Sequence, residues 1–246
     1  MVRFYGSTAL LVLCLAGCVD KSRDIAAPAS ASSDSSTADP AGTGNTSVEE
    51  TFDRTALMTN LVDTVFIPNY KTTASLADSF SADSGSLATY CDSIGTADEA
   101  ASRTNAQSDW LVLMDSVQKT EMHVVGPAFN NEEALHNRVH SYSTGSLATC
   151  ALDQSVIEAS SAGFEISSRA FNQRGMGALE YLLFNTDINH SCSSQIQATA
   201  SWNDLTQTDR KAKRCVLAEK LASDVAVAST LIHRQWTEGD NAFREE

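Results

Sequence analysis

The sequence predicts an all-α protein, an antiparallel helical bundle preceded by a signal peptide and a disordered tether. Three observations carry that prediction. Over residues 52–246 apolar side chains recur at intervals of three and four, with none of the sustained alternation that marks half-buried strands. Prolines over the same stretch are limited to Pro68 and Pro127, which leaves room for long helices. Residues 19–51, by contrast, are built of Ser, Ala, Thr, Asp, Gly and Pro, with Ile25 and Val48 nearly the only large apolar side chains. Such a segment buries too little surface to offset its ordering entropy, so it reads as a flexible linker.

Residues 1–18 have the form of an export signal: Arg3 supplies a positive start, Ala9 to Leu15 a short apolar core, and small residues follow. The run is too short for a permanent membrane span. Leu15-Ala16-Gly17-Cys18 reads as a lipobox, in which the thiol of Cys18 is acylated and anchors the mature chain. After the linker, Leu57, Leu61, Val65, Leu76, Phe80 and Leu87 outline a first helical stretch with a kink at Pro68. Thr96 is placed to cap a second helix through Trp110, Leu113, Val117 and Glu121, ended by Gly126-Pro127. Short helices follow around Glu132 to Tyr142 and from Asp153. Arg174 to Phe184 is amphipathic, with Met176, Leu179, Leu183 and Phe184 at helical spacing and Glu180 close to that stripe. The longest helix runs from Asp209 to about Trp236, with Leu217, Leu221, Val225, Ala228 and Ile232 on one face and Gly239 beyond its end.

The formal net charge of −14 disfavours nucleic acid and anionic lipid as ligands and suits a solvated surface. With Cys14 lost in the signal and Cys18 lipidated, four cysteines remain, an even number in an exported chain, and disulfides are expected. No Cys-x-x-Cys pair points to zinc. The expected pairing is Cys150 with Cys192, which flank the Arg174–Phe184 segment, leaving Cys91 with Cys215. His136-Asn137-Arg138-Val139-His140 has the histidine spacing of a zinc-protease helix, yet Asn137 stands where the general-base glutamate would be. The pair can hold a metal but cannot hydrolyse a peptide by that route; two surface histidines one turn apart are the plainer expectation. His123 and Glu121, two residues apart, point away from each other on a helix. Neither a Gly-x-Ser-x-Gly elbow nor a glycine-rich phosphate loop occurs.

The segment Gly175-Met176-Gly177-Ala178-Leu179-Glu180, followed by Tyr181-Leu182-Leu183-Phe184, resembles the signature of the imelysin family of bacterial envelope proteins. That signature is Gly-x-His-x-x-Glu before Tyr-Leu-Leu-Phe, and the family is named for insulin-cleaving metallopeptidases and linked to iron uptake. Gly175 and Glu180 match; Gly177 stands where the family has His. Trp110, Glu121 and Gly126-Pro127 are similar in order to an earlier family block, and Cys150, Asp153 and Gln154 to the Cys-x-x-Asp-Gln of one branch. The resemblance implies a domain over 52–246 that is partial, lacking a second bundle, with Glu180 and Glu121 as metal ligands for a divalent iron or zinc ion. Without the histidine, the expectation is a lipid-anchored envelope protein facing the periplasm, on the outer membrane, and a non-catalytic component of iron acquisition beside other iron-uptake proteins. A zinc-dependent metallopeptidase and an interaction module with a decayed metal site are the alternatives.

Overall fold

A computed structural model describes residues 52–142, 145–238 and 242–245. The signal peptide, Cys18, the linker and Gly239 lie outside the described residues. Helix α1 (Arg54–Leu61) is opened by Asp53, whose carboxylate accepts a hydrogen bond from the Ala56 amide at 2.9 Å. It is helical as expected but buries none of its side chains, and Leu57 stays 43% exposed. A π-helical turn, Val62–Phe66, leads into α2 (Ile67–Ser81), with Pro68 in its first turn. Proline has no N–H to donate and its ring crowds the preceding turn, and the wider π turn carries the chain past it without a break.

The first stretch does not run on to Leu87. Residues 82–85 interrupt it, and at Gly85 an added Cβ would meet the Ser79 carbonyl oxygen at 2.6 Å, so only glycine fits the close return into α3 (Ser86–Ser93). Helix α4 (Glu99–Glu121) has its N-cap at Asp98, two residues after the expected cap; Thr96 instead accepts a hydrogen bond from the Asp98 amide at 3.2 Å. The 3₁₀ turn Gly126–Ala128 follows, then α5 (Asn130–His140), which opens with Asn131, Glu132 and Glu133 in the left-handed region. Helix α6 (Thr149–Glu158) begins four residues before Asp153. The last two helices, α7 (Gly175–Phe184) and α8 (Gln207–Thr237), lie close to where the apolar periodicity puts them.

Helix α8 is the hub, packed against α2, α3, α5, α6 and α7, while α4 packs on α2, α3 and α7. Leu217, Leu221, Val225, Ala228 and Ile232 are all buried, as their spacing requires. Full burial contributes roughly 1.5 to 3 kcal/mol for each of the larger aliphatic side chains, so this face is the main source of cohesion. A smaller cluster of Tyr70, Ala128, Ile232 and Trp236 closes one end. Both expected disulfides form: Cys91–Cys215 ties α3 to α8, and Cys150–Cys192 ties α6 to the segment after α7.

Candidate functional site

Helix α7 begins against the end of α5. Gly175 has φ +66°, and an added Cβ would lie 2.6 Å from the Val139 carbonyl oxygen, so the entry requires glycine on two counts. The preceding Arg174, 4% exposed, reaches Asp224 on α8 through Nε–Oδ2 at 3.1 Å and Nη2–Oδ1 at 2.8 Å. Arg138 on α5 reaches the same carboxylate, Nη2–Oδ1 at 2.7 Å. This Arg–Asp–Arg cluster fixes α5, α7 and α8 relative to one another; breaking such a buried network leaves an uncompensated charge, at a cost of about 3 to 5 kcal/mol. The arginine beside the signature is therefore committed to Asp224 and leaves Glu180 to find another partner.

That partner is Tyr142. Ser141, with φ 51°, caps α5 in the left-handed conformation and turns the chain over the start of α7. The Gly177 amide donates to Ser141 Oγ at 3.1 Å, and the Tyr142 hydroxyl donates to Glu180 Oε2 at 2.5 Å. Burial, together with the hydrogen bond to Glu180, raises the Tyr142 pKa and keeps the phenol a donor. At Gly177 an added Cβ would lie 3.0 Å from Ser141 Oγ and 3.2 Å from Tyr142 Cε1. The Gly177 position is thus crowded by the Ser141–Tyr142 turn.

Glu180 is exposed rather than held in the apolar stripe. It shares an open cleft of about 470 Å³ with Glu121, Tyr142, Trp110, Met114 and Gln118. The structure therefore brings Glu180 and Glu121 to one cleft from α7 and α4. It does not bring the histidines there as surface ligands. His136 and His140 are 6% and 1% exposed, and their rings stack with centroids 4.1 Å apart over a small internal gap beside Tyr70, Thr120 and Ser229. The expectation of surface histidines is corrected: alternating the polar imidazoles with Val139 put them on the inward face of α5, which packs on α8. Burial pulls the His140 pKa down to about 3, with His136 adding to the shift. Nδ1 of His140 lies 2.6 Å from Glu121 Oε1 without the alignment of a hydrogen bond. His123 stacks on Phe66 at 4.7 Å and takes no part in the cleft.

Two carboxylates in one cleft offer hard oxygen donors, suited to a weakly held divalent cation. They fall short of the three protein ligands of a catalytic zinc site. Among the described residues no group of three or more His, Cys, Asp or Glu side chains is placed to hold a metal.

Three residues of this region escaped the sequence reading. Tyr142 and Ser141 act through the left-handed turn, which no local pattern announces in a non-glycine residue. Asp224 carried a usable signal, a carboxylate set into the apolar face between Leu221 and Val225, which demands a cation. Asp153, of the Cys-x-x-Asp-Gln segment, is 3% exposed and accepts from the Ser191 amide at 2.6 Å and the Tyr181 hydroxyl at 3.2 Å, joining α6 to α7 and the chain beyond it.

Taken together, the fold and site define a helical-bundle protein with two carboxylates, Glu121 and Glu180, in one cleft and the Gly177 position closed by Ser141 and Tyr142. The family model for imelysin, a peptidase grouping, matches residues 68–246, and the chain belongs to the imelysin family. No curated protein and no solved structure matches it.

Proposed function

We propose that the protein is a bacterial envelope lipoprotein whose imelysin-like domain serves metal, specifically iron, acquisition as a binding component without peptidase activity. The observation that carries this is the cleft in which Glu180 and Glu121 converge while the Gly177 position is closed by Ser141 and Tyr142. Two carboxylates carry about −2 charge, enough to attract a hard cation and too few to activate a water as zinc enzymes do. Asn137 removes the other route to hydrolysis, since a carboxamide cannot serve as general base. The iron assignment rests on the family. Anchoring rests on the lipobox at Cys18 and the linker behind it, and no helix of the described residues is long and apolar enough to cross a membrane.

An assay that separates binding from catalysis tests the proposal: incubation of the purified protein with an unfolded polypeptide, with and without chelator, beside a measurement of bound metal. Uptake of metal with no cleavage supports the binding role, and cleavage that stops on chelation overturns it. For the anchor, Cys18→Ser moves the processed protein from the membrane to the soluble fraction. Membrane retention of the processed variant would refute the lipid attachment.

A further inference from the structure

A second cavity, of about 180 Å³, lies between α3, α4, the end of α7 and the start of α8, and shares no lining residue with the Glu180 cleft. Its charged lining is entirely basic: Arg103, Lys211 and Arg214, in a chain whose net charge is −14. Arg214 is the deepest, 4% exposed, and its Nη2 donates to the Asp187 carbonyl at 3.1 Å. Its Nε and Nη1 are buried and find no acceptor among the described residues. A buried guanidinium left short of acceptors is costly, and chains retain one where a ligand or a structural need supplies the missing partner. The Tyr90 hydroxyl also lines the cavity and takes no hydrogen bond among the described residues; burial pushes its pKa up, so it remains a donor. The Cys91–Cys215 bridge, with Cα atoms 5.6 Å apart, fixes the helix of Tyr90 to that of Arg214.

Acidic neighbours do not fill the need. Glu99 is bound to Lys211 and to the Gly95 amide. Asp153 and Asp187 act on Arg214 from outside the lining, the first already accepting from Ser191 and Tyr181, the second from the Asn189 amide. Arg103 uses Nε and Nη2 to cap the Leu183 carbonyl at the end of α7, at 3.0 and 2.7 Å.

We propose that this cavity is a binding site for a small oxyanion, held by Arg214, Arg103, Lys211 and the Tyr90 hydroxyl. Guanidinium groups match the paired oxygens of carboxylate and phosphate. The space holds roughly six waters at about 30 Å³ each, which admits phosphate or a short dicarboxylate.

The test is calorimetric titration of the full protein with inorganic phosphate and, separately, with malonate, at ionic strength held constant with chloride so that general screening is the same throughout. Saturable binding of one or both is expected, and which of the two binds tells phosphate from carboxylate chemistry. Tyr90→Phe removes a hydroxyl with no structural partner, so it leaves the fold intact by circular dichroism and weakens the anion by about tenfold, the value of a charge-assisted hydrogen bond. Lys211→Met weakens it similarly. Absence of saturable binding for both anions, or unchanged affinity in both variants, overturns the site and leaves Arg214 a clamp on the 187–189 segment.

Discussion

Replacing Gly177 by histidine sets two effects of opposite sign against each other. Removing glycine from a helix gains at most about 1 kcal/mol, and less for histidine than for alanine. Against it stands the turn at Ser141 and Tyr142, where the Cβ alone would sit 3.0 Å from Ser141 Oγ and 3.2 Å from Tyr142 Cε1. An imidazole beyond that Cβ must displace the Tyr142 ring, which also breaks the hydrogen bond to Glu180, worth under about 1 kcal/mol at an exposed carboxylate. Overpacking of this kind costs roughly 1 to 3 kcal/mol. The net expectation for Gly177→His is a loss of about 1 to 3 kcal/mol, or about 3 to 10 °C in Tm for a domain of this size. Gly177→Ala, carrying the Cβ and no ring, should be near neutral. The double variant Gly177→His, Tyr142→Ala should recover part of the loss, since the ring no longer blocks the site. Scanning calorimetry of the four proteins decides it. If Gly177→His alone melts at or above the parent, the position is not crowded and the description of the turn is wrong.

Acidification should destabilise the fold through the buried histidines. His140 is held neutral, with its pKa near 3 against about 6.5 unfolded, and burial also lowers that of His136. A depressed histidine contributes stability that is complete above the unfolded pKa and lost as pH falls from 6.5 toward the folded value. Urea titrations at pH 7.5 and 4.5 should differ by roughly 1 to 3 kcal/mol, a difference reduced in His140→Gln; equal or greater stability at pH 4.5 would contradict the burial argument. The two disulfides should contribute unequally: they close separations of 124 and 42 residues, and the chain-entropy account makes loss of Cys91–Cys215 the costlier by about 1 kcal/mol. Comparing Tm for Cys91→Ala, Cys215→Ala with that for Cys150→Ala, Cys192→Ala measures this, and four free thiols in the unreduced protein would remove both bridges.

What the sequence revealed follows from which forces are periodic. The face of α8 from Leu217 to Ile232, the span of α7 and the burial of Trp110, Leu113 and Val117 on α4 were legible because helical burial repeats at three and four residues. The break at Gly85 was not, since a close backbone return depends on carbonyls of Ser79 and Phe80 in a neighbouring turn rather than on local pattern. In the site, Glu121 and Glu180 were recognisable as residues, and their meeting in one cleft depended on how α4 and α7 pack. The inward turn of His136 and His140 was hidden because an imidazole next to Val139 looks like surface until the helix has a neighbour. Tyr142 became visible only through the left-handed Ser141.

In the proposed reading Glu121 and Glu180 together form one cation site. Anaerobic calorimetric titration of the protein with Fe²⁺, beside Glu121→Gln, Glu180→Gln and the double variant, tests it most directly. The parent should show a single weak site, with Kd on the order of 10⁻⁴ M as expected for a site with few carboxylates. Each single variant should weaken it by about tenfold, and the double variant should show no saturable heat. Binding that survives in the double variant, or that is far tighter than two carboxylates can give, would contradict the claim.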